Sequence, residues 1–348
     1  MPSPGAIGPA QRGTPVIPDF LRIRSHRAIW ISSALATVAI ILWFAFTTDP
    51  SAFFGVFERA GVGAVSIAIT CIMINAILVV SWLMLIAGRQ ASLAGASRVV
   101  AWHMLVSTIL PARLGDLAWM YFMHRWMNFP AGQAVFVALY HRLQDFIVVS
   151  AFFVLGIVAL GAQALGANAG LAIGALLVLL IGVIFGLDWL LTMGALILQR
   201  LDRALDVAAV RLAYRHLLQI RVWYRHSLSP PILWGSFAII VVRWAALFLG
   251  MAVLIHAAAP ELDWFNSMFA SIAYVLMAIV PLQAFGGFGV GEAGLAWLLT
   301  FYGVALATAS SIGLVLRLLT NIVHVAIFLA IMLALSLSRT RTAAVTHS

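Results

Sequence analysis

Pro281-Leu-Gln-Ala-Phe-Gly-Gly-Phe-Gly-Val-Gly-Glu292 is a polar break inside an apolar stretch that runs over 267–302. A second break, Pro111-Ala-Arg-Leu-Gly-Asp116, interrupts the apolar stretch 99–127. The two prolines are 170 positions apart, and Asp116 and Glu292 are 176 apart. Unwound backbone and ionised groups are costly in lipid and are tolerated where protein or a water-filled cavity surrounds them. Matched breaks in two halves of one chain therefore point to a polar site between the halves.

The surrounding sequence is that of a polytopic membrane protein. The 348 residues are 64% hydrophobic and 9% charged, where soluble domains hold about 25% charged residues. Full-length apolar spans read at 28–47, 62–87, 134–160, 170–198, 232–258 and 311–337, each long enough for ~30 Å of hydrocarbon. The halves of the two broken stretches are too short to cross. The expected fold is thus all-α, with six full transmembrane helices plus two re-entrant helical hairpins.

Arginine placement orders these pieces. The chain has twenty basic residues, all arginine, and a net charge of +9. Arg113, Arg142, Arg243 and Arg317 lie within apolar stretches. With both termini on the cytoplasmic side, only Arg59 of the remainder falls outside, together with Asp49, Glu58, Glu261 and Asp263. That distribution obeys the positive-inside rule. It also makes units 62–160 and 232–337 an inverted repeat, each a span, a hairpin and a second span. Residues 1–27, rich in proline, read as a disordered cytoplasmic tail, and 338–348 as a second tail. Between the units, 200–231 is a basic interfacial loop, with Leu201, Leu205, Ala208 and Leu212 on one helical stripe.

The charges inside the apolar stretches locate the expected site. Arg113, Arg142, Arg243 and Arg317 are matched by Asp116, Asp145, Asp188 and Glu292. Eight unpaired charges would cost roughly 20–28 kcal/mol at about 2.5–3.5 each, more than the ~5–15 kcal/mol that a fold retains. Pairing, hydration or both must offset that cost. His141, Arg142 and Asp145 share one side of their span, and Arg317, Asn321 and His324 form one stripe of theirs. Asp116 and Glu292 are natural partners for these arginines, although spacing leaves the pairing open. Arg113 and Asp188 stand near span ends, where snorkelling is the plain alternative. Gly286, Gly287, Gly289 and Gly291 before Glu292 expose backbone N–H groups that lead into a helix N-terminus, which suits an anionic head group.

Other chemistries find no motif. Cys71 is the only cysteine, which rules out an internal disulfide or a cysteine metal cluster. The chain has no His-Glu-x-x-His, no Gly-x-Ser-x-Gly elbow, and no Lys to complete a phosphate-binding loop. No cofactor, no metal and no nucleic-acid partner is expected.

The chain resembles the flippase-like family named for the transmembrane region of lysylphosphatidylglycerol synthase. The resemblance rests on Pro111 to Asp116, on His141-Arg-Leu-Gln-Asp145, and on the Gly-Gly-x-Gly-x-x-Glu core of Gly286, Gly287, Gly289 and Glu292. It covers about 28–337. Asp116 stands where the family usually has Glu, and Gln283-Ala-Phe replaces part of the second motif. The resemblance implies a bacterial inner-membrane protein that moves a lipid between leaflets. It also implies a stand-alone form that lacks the aminoacyl-transferase domain and makes no lysyl lipid. The expected head-group residues are Arg113, Asp116, Arg142, Asp145, Gly286, Gly287, Gly289, Glu292, Arg317 and Asn321, supported by His141, Arg243 and His324. Membrane lipids are the expected partners, with enzymes of hopanoid or glycolipid synthesis as further candidates by analogy. The alternatives are an intramembrane lipid-modifying enzyme and a scaffold for a lipid-synthesis complex.

Overall fold

A computed structural model describes residues 48–88, 91–110, 114–227, 229–279 and 287–346, together with Val38, Leu42 and Phe46. Ten helices account for nearly all of it. The Pro111 and Pro281 bends, and most of span 28–47, lie outside the described residues.

Helix α1 (Pro50–Ala87) starts at a proline, whose missing N–H is no loss in a first turn. The Asp49 carboxylate caps it, accepting from Ser51 N at 2.9 Å. The broken stretch 99–127 forms α2 (Leu93–Ile109) and α3 (Leu114–Met127). The stretch 267–302 forms α8 (Trp264–Ile279) and α9 (Val290–Phe301). Each of these four is at most 17 residues, or about 25 Å at 1.5 Å per residue. That is short of a bilayer's hydrocarbon thickness. Within each stretch the two helices pack against each other as a hairpin.

Four described helices are long and apolar enough to cross a membrane. They are α1, the part of α4 (Ala131–Phe185) up to Val158, α7 (Pro230–Ala258), and α10 (Leu306–Thr346) up to Ser338. They match the expected spans 62–87, 134–160, 232–258 and 311–337. The sequence reading separated 134–160 from 170–198. The backbone instead stays helical through 131–185, as a proline-free stretch rich in alanine allows. It breaks at Gly186, and α5 (Leu187–Leu205) and α6 (Ala208–Ser227) follow, packed on each other.

The helices pack in matched pairs. Helices α3 and α4 touch, as do α9 and α10. Helix α2 lies on α10, and α8 lies on α4. The packing of α1 on α2 has its counterpart in α7 on α8, and α1 and α7 pack along each other. Small residues permit that last approach, since a Cβ on Gly250 would sit 2.7 Å from Cys71 Cβ. The buried apolar side chains divide the same way. One cluster joins the inner part of α1 to α2, α3 and α4, and the other joins α7 to α10 with the start of α1.

A polar network runs through the first cluster. Trp82 Nε1 donates to Gln144 Oε1 at 2.8 Å, and Gln144 Nε2 donates to Tyr140 Oη at 3.0 Å and Ser236 Oγ at 2.8 Å. It ties α1, α4 and α7 together with its buried donors satisfied.

Candidate functional site

The two hairpins place their acids by the same local device. In each, a glycine precedes the acid where the hairpin arms pack against each other. A Cβ on Gly115 would lie 2.0 Å from Ser107 Oγ and 2.9 Å from the Ser107 backbone. A Cβ on Gly291 would lie 3.0 Å from Ala278 Cβ. The acid that follows occupies the first helical turn, where the helix dipole favours negative charge.

Each acid then meets an arginine on the next long helix. In the first half, Arg142 Nε donates to Asp116 Oδ2 at 3.1 Å, and its Nη2 donates to Asp116 Oδ1. In the second, Arg317 Nε donates to Glu292 Oε1 at 2.7 Å. The sequence separations of the two pairs are 26 and 25 residues. The hairpin acids are therefore the partners of Arg142 and Arg317, within each half.

The halves differ in what surrounds the pair. Arg142 Nη1 also donates to Asp145 Oδ2 at 3.3 Å. Asp145 Oδ1 accepts from Arg243 Nη2 and, at 3.0 Å, from Trp244 Nε1. The result is an alternating chain, Arg243–Asp145–Arg142–Asp116, that runs from α7 through α4 to α3. His141 Nδ1 lies 3.4 Å from Asp145 Oδ2, outside hydrogen-bonding geometry, and both its ring nitrogens lack a partner among the described residues. The Arg243 guanidinium stacks on Trp244 with 4.6 Å to the ring centroid.

In the second half, Glu292 is completely buried and accepts three hydrogen bonds. They come from Arg317 Nε, from Tyr274 Oη at 2.8 Å, and from Gly289 N at 2.7 Å. The last is the carboxylate half of a capping box. Gly287 has φ +74, and a Cβ there would lie 3.1 Å from Arg317 Nη1. Glycine is needed at that position for both conformation and space.

A single cavity of about 520 Å³ joins the two halves. Asp116, Arg142 and Asp145 line one end, and Gly287, Arg317 and Asn321 the other. His103, Thr108, Thr320 and His324 complete its polar wall, and Trp244, Leu247, Met251 and Val275 its apolar one. His103 Nδ1 donates to Gly115 O at 3.0 Å, which fixes the imidazole beside the first bend. Of the expected residues, Glu292, Gly289, His141 and Arg243 sit behind the wall. Arg113 and Gly286 lie outside the described residues.

The wall is not electrically uniform. At one end the cavity meets two carboxylates and Arg142, whose three nitrogens are all engaged by carboxylate oxygens. At the other it meets Arg317, while the compensating Glu292 is hidden. Among the described residues, Arg317 has one hydrogen bond, through Nε. Arg317 lines the cavity, and its Nη nitrogens make no hydrogen bond among the described residues; their planar fork geometry matches phosphate or carboxylate.

Asp188 does not belong to this site. It lies in the first turn of α5 and accepts from Arg225 Nε and Nη2, both at 2.7 Å, with Arg221 nearby. The hydrogen bonds from Arg225 hold its carboxyl below the ordinary carboxylate range. Sequence spacing gave no signal for several residues of the centre. Trp244, Tyr274 and His103 look like ordinary members of apolar helices until the fold brings them to the acids.

Apolar spanning helices around a buried, ion-paired cavity define a polytopic membrane protein. A family model described as the lysylphosphatidylglycerol synthase TM region matches residues 29–327. The chain belongs to that family. No curated protein and no solved structure matches it.

Proposed function

We propose that the protein moves a polar lipid head group between the leaflets of a bacterial inner membrane, with both termini in the cytoplasm. In this reading α1–α4 and α7–α10 are the two halves of an inverted repeat, with the chain returning across the membrane between Val158 and Pro230; α1 and α7 run antiparallel, Gly250 lying by Cys71 and Gly235 by Leu85. The α2–α3 and α8–α9 hairpins re-enter from opposite faces. The head group occupies the cavity between them while its tails stay in lipid, and exchange of access past the two hairpins moves it across.

The observation that supports this most is Arg317, which lines the cavity and is held through Nε by the hidden Glu292, with its Nη nitrogens unbonded among the described residues. A phosphate or other anionic head-group oxygen is the acceptor those nitrogens suit. Asp116, Asp145 and Glu292 hold the arginines in place. Asn321 and the backbone at Gly287 supply neutral polar contacts.

The test is leaflet exchange of fluorescent phospholipids in proteoliposomes. Wild-type protein is expected to accelerate exchange over protein-free vesicles. Arg317→Gln is expected to slow it at least tenfold, with Arg142→Ala plus Arg317→Ala no faster. Equal rates in the wild type and both variants would sink the reading.

A further inference from the structure

A second cavity, of about 450 Å³, opens between the start of α2, the end of α3 and the late part of α10. Arg98, Trp102, Trp126, Met332, Leu335 and Ser336 line it. Arg98 is half-buried, and its guanidinium lies 5.8 Å from the centroid of the Trp126 ring. Among the described residues no carboxylate pairs with it. Trp102 and Trp126 have centroids 6.0 Å apart, and Phe122 stacks on Trp126 at 4.7 Å. An arginine without a counter-ion among those residues, framed by indoles and continued by methionine and leucine, reproduces the profile of a phospholipid. Anionic head, interfacial region and acyl chain each find matching chemistry.

The position adds to this. Helices α2 and α10 form a continuous seam between this groove and the central cavity. At its inner end Thr108 Oγ and His324 Nδ1 are 3.4 Å apart, and both line that cavity. Midway, the Trp102 and Phe328 rings meet edge to face with centroids at 4.9 Å. Arg98 and Leu335 are at the outer end. Ten residues of α2 separate Arg98 from Thr108, a distance of about 15 Å. The α4–α8 seam of the other half has its own groove, of about 210 Å³, lined by groups such as Phe152, Leu155, Phe265 and Phe269 with no charge. Of the two grooves, the one between α2 and α10 pairs a cation with an apolar trough.

We propose that the groove of Arg98, Trp102, Trp126 and Met332 is a docking site for an anionic phospholipid, at the outer end of the seam that leads to the central cavity. Its role as a loading point rests on the transport reading, whereas the binding itself does not. Arg98 selects net negative charge, and the Trp102–Phe328 pair separates the docked lipid from the ion-paired interior.

The experiment uses the full chain in vesicles doped with phospholipid bearing a diazirine in its acyl chain. Cross-linked residues are mapped by mass spectrometry. Adducts at 332–336 and at Trp102 or Trp126 are expected at least fivefold more often from phosphatidylglycerol than from phosphatidylcholine. Arg98→Gln is expected to bring the first down to the level of the second, and Arg98→Lys to retain half or more. Head-group-blind labelling of the wild-type protein overturns the proposal without recourse to any variant, as does full labelling of a folded Arg98→Gln protein. Selective labelling in a protein that exchanges no lipid would leave the groove standing and remove the transport reading. Exchange that persists with head-group-blind labelling would do the reverse.

Discussion

Arg243 and Asp145 are each almost wholly buried and depend on one another. Removing one partner of such a pair typically costs about 3–5 kcal/mol, because the survivor is left uncompensated. Arg243→Gln is therefore expected to destabilise the protein by about that much. Arg243→Gln with Asp145→Asn should cost less than the sum of the single changes, and thermal or denaturant unfolding in detergent checks both. The two hairpin glycines make a graded pair. Gly115→Ala drives a methyl into the Ser107 backbone and is expected to cost about 1–3 kcal/mol. Gly291→Ala meets the Ala278 methyl at 3.0 Å and the Tyr274 ring at 3.3 Å, with the nearest main-chain atom at 3.4 Å, and should cost less. Ser107→Gly should relieve Gly115→Ala only in part, since the new methyl still presses on the main chain at position 107. The reverse order of the two glycines would contradict the hairpin geometry. At this scale the sequence shows which side chains are out of place in lipid, because Asp116, Arg142, Glu292 and Arg317 violate the surrounding polarity. It does not show who meets whom. The Arg243–Asp145 pair spans 98 positions, and no periodicity links residues on α4 and α7. Tyr274 stays hidden because an aromatic in an apolar helix reads as packing until an acid lies beside its hydroxyl.

Among the elements, α5 and α6 respond differently from the hairpins. The start of α5 is tied to the end of α6 by Asp188 and Arg225, both reachable by solvent, so screening keeps that ion pair modest. The folded carboxyl titrates below its ordinary 3.8, so the pair's contribution is complete above that pH. It is lost as pH falls through the still lower folded value. Pepsin, which works in acid, provides the readout. Wild-type protein is expected to resist cleavage between α5 and α6 better than Asp188→Asn near pH 4. The two should converge as the pH drops further, and a gap that widens toward acid would refute the assignment. Asp188 also shows why an element's end is hard to read in advance. Apolar runs on either side made it look intramembrane, but Gly186 ends the helix just before it. The left-handed turn at Asp206, after α5, lets α6 fold back and supply the partner. The short hairpin helices were legible for the opposite reason, because proline and clustered glycine cannot sustain a helix of spanning length.

Over the whole molecule, the decisive property is a cavity that polar molecules reach. Cys71 is the only cysteine, so Cys71→Ala gives a background for reporters. Single cysteines at Thr108 and Thr320 are expected to react with small charged thiol reagents. One at Leu295, which is fully buried, should react at least tenfold more slowly. Equal protection at all three positions would mean that the cavity is closed to water. The pairing of short helices on either side of each break was readable from the breaks themselves. The way α2 lies on α10 and α8 on α4 was not, since helix neighbours in a membrane are chosen by surface shape more than by hydrophobic pattern.

Among the described residues, the charges around the cavity cancel. Arg142, Arg243 and Arg317 are offset by Asp116, Asp145 and Glu292, three ion-paired cations against three anions. A transmembrane voltage of 100 mV does about 2.3 kcal/mol of work on each elementary charge it displaces. If the protein transports lipid as proposed, an interior with no net charge gives the field nothing to grip when the empty protein resets. Electrical sensitivity, measured as exchange rate against an imposed potassium diffusion potential, is then a property of the cargo. A neutral or zwitterionic passenger should cross at a rate indifferent to polarity, and a charged one should be sped or slowed according to its sign.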